Sequence, residues 1–187
     1  MKTAVVLLES ISPYSQSRAY TEPEKEDKES SDDYEKRTWR YRCHVNEEGN
    51  VFIPPMQFKE SLATAAAFLQ EKIKGKGSST YTKHFKAGVL VTEGPELSIK
   101  FPDDVKGEWL FLNADGKKNG TTRVWRCMPV VAHWTAEVTY YVIDETITKE
   151  VFEHTLIESG NFIGIGRFRP EKGGFYGRYK VNGIKWQ

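Results

Sequence analysis

Residues 50–73, "NVFIPPMQFKESLATAAAFLQEKI", change hydrophobic period part-way along, and that change governs how the rest of the chain is read. A short apolar stretch at Val51–Ile53 meets the pair Pro54-Pro55. Beyond it, Phe58, Leu62, Ala65, Ala66, Leu69 and Ile73 fall on one face of a helix of period 3.6. Proline suits a first helical turn, where the missing N–H would have had no acceptor. The spacing predicts a helix over 57–73, with "VFIPP" leading into it.

Working outward, residues 3–10 form an apolar run too short for a helix and centred on Val5 and Val6, which predicts a buried strand. "KRTWRYRCHV" (36–45) alternates, with Trp39, Tyr41 and Cys43 on one side and Arg40 and Arg42 on the other, which predicts a second strand. Downstream, 84–93 reads as a strand, and 96–101 and 107–116 as shorter strands with a polar turn at "NADG". Residues 121–144 are strand-rich and broken at Pro129. "TKEVFEHTLIESG" (148–160) reads as a second helix stopped by Gly160, and a final strand is expected near 175–181. The order is strand–helix–strand twice, with hairpins inserted. It predicts an α+β fold: an RRM/ferredoxin-like split βαβ core with an antiparallel sheet and two main helices.

The 187 residues suit one domain, 1–187, with a core of its own. Net charge is only +1, but residues 21–36 hold eight acids and three bases. The remaining chain therefore carries 24 bases against 18 acids. Such a run reads as solvated, and a flexible acidic insertion is expected at about 14–37. No secretory signal or membrane span is legible. Two cysteines make no disulfide framework, so a cytoplasmic location is the simplest expectation.

Chemistry is sparse. Cys43-His44 and Cys127 with His133 lack the close ligand pairs of zinc sites, so no metal or cofactor is expected. No nucleophile elbow, P-loop or dinucleotide fingerprint occurs. His44 or His84 could serve a metal-independent ribonuclease as general base, without a visible partner. Binding residues are plentiful. "GIGRFRPEKGGFYGRYKV" (164–181) holds five glycines and five bases against one acid, including Arg167, Arg169, Lys172, Gly173, Gly174, Gly177 and Arg178. Arg40 and Arg42 alternate with Trp39 and Tyr41, and Arg123 and Arg126 flank Trp125. Cations that track phosphates and aromatic faces that stack bases are what single-stranded nucleic acid requires.

Two stretches also carry a family resemblance. "GNVFIPPMQFKESLATAA" resembles the strand-to-helix "IPG" segment of the repeat-associated mysterious proteins, the RAMP superfamily, and "GIGRFRPEKGGFYGRYKV" is similar to that superfamily's C-terminal glycine-rich loop. The closing pattern is also similar to that of uncharacterised tailed-phage proteins. Pro54, Pro55 and Met56 stand where the superfamily has glycine and serine, and the arginine that often follows the helix leucine is missing. The resemblance implies an RRM-like core, RNA binding in CRISPR-type assemblies, and roles for the loop residues and Lys59. The expectation is a non-catalytic protein that binds single-stranded RNA or DNA, alone or with protein subunits or copies of itself. The alternatives are a phage-encoded interaction subunit or inhibitor, and an endoribonuclease.

Overall fold

The computed structural model describes residues 1–114 and 120–187. In chain order the elements are β1 (Lys2–Ser10), β2 (Tyr14–Ser15), α1 (Ser31–Thr38), a 3-10 turn (Trp39–Arg42), β3 (Asn50–Phe52), α2 (Pro55–Leu69), α3 (Thr82–Gly88) and β4 (Val89–Leu90). Then follow β5 (Glu96–Lys100), β6 (Lys106–Asn113), β7 (Arg123–Val131), β8 (Thr135–Val142), α4 (Lys149–Glu158), a π turn (Ser159–Ile163), a 3-10 turn (Pro170–Lys172) and β9 (Tyr179–Trp186).

The main sheet has the order β4-β8-β1-β9, with every neighbouring pair antiparallel. The units β1–α2–β4 and β8–α4–β9 are each split by a strand of the other, which is the RRM/ferredoxin-like arrangement read from the sequence. Ala4, Val6 and Leu8 of β1 and Val138, Tyr140 and Val142 of β8 bury one face of this sheet. Phe58, Leu62 and Ala66 of α2 and Phe152 and Leu156 of α4 belong to the same core cluster. Each of the larger aliphatic and phenylalanine side chains among these contributes about 1.5–3 kcal/mol. The first strand is buried on one face only, for Leu7 is 45% exposed. Two insertions, 11–54 and 91–134, build a second sheet, β2-β7-β6, and a ribbon, β3-β5.

Several local readings change. Residues 36–45 are not a strand: α1 runs into the 3-10 turn and Tyr34, Glu35, Thr38, Trp39 and Arg42 are buried. Two of those five are charged, so a hydrophobic count misses the helical face. Ser30 caps α1 by accepting the Asp33 N–H. Residues 14–16 are buried and 31–37 are helical, so the exposed acidic stretch is shorter than 14–37. The first half of residues 84–93 belongs to α3, with Phe85 and Gly88 buried, and only Val89–Leu90 pair as strand. Strand β7 passes through Pro129, whose carbonyl accepts the Gln16 N–H. The chain does not stop at Gly160 but continues through the π turn. There a Cβ would lie 2.1 Å from the Tyr179 carbonyl oxygen, which leaves room for glycine alone. The last strand is displaced to Tyr179–Trp186. Part of the polar turn at 113–116 lies outside the described residues.

Candidate nucleic-acid interface

The glycine-rich segment folds back on itself between the π turn and β9. Ile165 donates its N–H to the Gly177 carbonyl and Tyr176 to that of Phe168, while Arg167 donates to Ser15 and Gly177 to Pro13. The loop is thereby sewn to the start of the first insertion. Glycine is needed here for packing: a Cβ on Gly174 would lie 1.8 Å from the Phe168 oxygen, and one on Gly177 1.8 Å from the Ile165 oxygen. The N–H groups of Gly173, Gly174 and Gly177 already donate to Pro170, Arg169 and Pro13. These glycines therefore do not present free amides to an anion. Only Gly173, at φ 75° with nothing within 4 Å of a Cβ, leaves open space beside the chain.

The side chains are another matter. Met56, Gln57, Glu60 and Ser61 of α2 line a cleft of about 510 Å³ together with Gly164–Arg167 and Arg169. The two stretches that carry the family resemblance thus share the walls of one cleft. Arg167 lies over the Phe168 ring at 4.0 Å, and its Nη1 is buried without a hydrogen-bond partner. Burial, and then the nearby Arg42 charge, push its pKa below the usual arginine value. Phe168 itself has φ 52°, a left-handed conformation that bulky residues rarely adopt.

Arg169 donates to Glu171 through Nε at 2.8 Å and Nη2 at 2.6 Å, and Lys172 reaches the same carboxylate at 2.7 Å. Arg178 is exposed and has no ionic partner among the described residues. With Ile11, Ser12, Phe168, Gly173, Gly174, Phe175 and Tyr176 it lines a second cleft of about 640 Å³. Lys59 contacts Glu60 at 3.5 Å and does not line the first cleft.

Other sequence candidates lie elsewhere. Arg42, 7% exposed, is paired with Glu35 at 2.6 Å and donates to the Cys127 carbonyl at 3.2 Å. Trp39 is buried and lies against Gly107. Neither can stack a base or hold a phosphate without the insertions opening. Arg40 is exposed over the Trp39 ring at 4.5 Å, and exposed Tyr41 stacks on Tyr20 at 5.6 Å. Trp125 shares one exposed face of the β6–β7 hairpin with Trp109 and Phe111.

His44 is held below its usual pKa by burial, and His84 Nδ1 meets Asp144 at 2.6 Å; neither lines the cleft. Sequence reasoning passed over Met56, Gln57, Phe168 and Phe175. The signal available for the last two was their aromatic rings inside an otherwise glycine-and-arginine stretch.

No protein-family profile and no curated protein matches the chain. Among solved structures it superposes, at TM-score 0.57 and 11% identity, on a chain in the cryo-EM structure of the Type III-B Cmr-beta bound to cognate target RNA. The match covers 99% of this chain and 60% of that one, so this chain spans about three-fifths of its length. At such identity the likeness is one of fold alone, and it agrees with the RRM/ferredoxin-like α+β arrangement read from the sequence.

Proposed function

We propose that the chain is a non-catalytic protein that binds single-stranded nucleic acid, taking phosphate on Arg167 in the cleft beside α2 and on Arg178 across the glycine-rich loop. The observation that carries this reading is the Arg167 guanidinium, half-buried beside Arg42 with one N–H group unmet. A buried donor without an acceptor costs about 1–3 kcal/mol, more when charged, and an entering anion offsets that cost. The RNA-bound state of the structural neighbour supports the same ligand class and an assembly with other subunits. A docking role on a protein partner is the second reading, favoured by the exposed pair Phe68 and Phe162, whose rings lie 5.4 Å apart on the helical layer.

Fluorescence polarisation with single-stranded RNA and DNA across a salt series tests the proposal. Arg167→Ala and Arg178→Ala are each expected to weaken binding and to flatten the log–log salt slope by about 0.7. Binding indifferent to salt, or unchanged in the double variant, overturns it.

A further inference from the structure

The second cleft adds a specific element to this reading, on which it rests. Its wall holds Phe175, 63% exposed and the most exposed aromatic side chain among the described residues. Beside it stand Arg178, a cation without an ionic partner among the described residues, and Phe168. Phe168 lines the second cleft, while Arg167, which lies over the Phe168 ring at 4.0 Å, lines the first. Its left-handed backbone costs about 1–3 kcal/mol, a strain that persists where the surroundings enforce it and that gathers at ligand clamps. Here the enforcement is visible. The Phe168 carbonyl accepts the Tyr176 N–H and lies where a Cβ on Gly174 would stand.

An exposed phenylalanine contributes nothing to the core, and Phe175, Phe168 and Arg178 line one cleft while Arg167 lies over the Phe168 ring. A base would offer a planar face to Phe175, with the phosphates on either side of it in the clefts that Arg167 and Arg178 line. Gly173, with open space beside it, leaves the approach to that face clear. We propose that the second cleft seats one unpaired base, stacked on Phe175, where the strand crosses the glycine-rich loop. Stacking accepts any base, so this contact adds affinity without sequence preference.

Stacking and phosphate contact respond differently to salt, which gives the test. Phe175→Ala is expected to weaken binding of an intact single strand roughly tenfold, with the salt slope unchanged. It should leave binding of an abasic strand of equal length as it was. Phe175→Tyr should retain binding, and Phe175→Leu, which keeps bulk but loses the ring, should behave as alanine does. Equal binding of the intact strand by parent and Phe175→Ala, or equal weakening of intact and abasic strands, overturns the stacking. If the parent binds intact and abasic strands alike, the stacking falls and the phosphate reading stands. If the parent binds neither, both fall.

Discussion

Glu171 shows how much one carboxylate decides about the loop. Burial works against its charge, but Lys172 and Arg169 outweigh that and hold its carboxyl below the usual glutamate range. These pairs contribute stability above the ordinary carboxylate pKa, and the contribution is lost as pH falls through the lowered value. They also neutralise cations that would otherwise face a phosphate. Glu171→Gln is therefore expected to tighten binding of single strands and to steepen the log–log salt slope by about 0.7 for each cation freed, read by polarisation. Conversely, the parent should bind more tightly as the pH drops through the acid range where Glu171 protonates. None of this was legible in "RFRPEK", because a charge count gives the net balance and not which arginine has been claimed.

Among elements, the β6–β7 hairpin is held by an unusual device. Glu35, fully buried, accepts from Arg42 at 2.6 and 3.2 Å, from Arg126 at 3.1 Å and from the Cys127 N–H at 2.7 Å. Arg42 in turn donates to the Cys127 carbonyl. Two side chains from α1 and the following turn thus take both backbone groups of Cys127, as a further strand would. Glu35→Ala leaves Arg42 buried without its counter-charge and is expected to cost about 3–5 kcal/mol in urea unfolding, with Arg42→Met less damaging in a Glu35→Leu background. The same pair explains the misread segment. "TWRYRC" alternates like a strand, but the helix wins because its hidden face includes an ion pair whose burial becomes favourable only against β7. By contrast α2 was legible from its apolar face, although the helix ends at Leu69, where Gln70 turns left-handed, and Ile73 lies beyond it; the order of the core strands was legible from their runs.

On the scale of the whole molecule, the near-zero net charge conceals opposed regions. The acidic stretch lies against α1, where Arg37 holds Glu29 at 2.8 Å and the Glu24 carbonyl, and the Tyr34 hydroxyl donates to Pro23. Among the described residues no hydrogen bond or ion pair joins it to Arg167 or Arg178. On the proposed reading it would act on a nucleic-acid strand through its field and not as a plug. Replacing Glu22, Glu24 and Glu26 by glutamine should raise the association rate in stopped flow at low salt. The gain should vanish near 1 M salt, where screening reaches about 3 Å. A gain that persists at high salt would instead indicate a direct contact.

The sequence by itself determined the split βαβ order, the buried face of α2 and the concentration of cations in the C-terminal loop. Each is set by period, propensity or composition within a short span. Only the tertiary structure decided which of those cations remain available. Arg169 and Lys172 are shared with Glu171, and Arg167 and Arg178 are left facing clefts. Burial and ion pairing depend on neighbours brought together by folding, so no reading of local pattern could have sorted them.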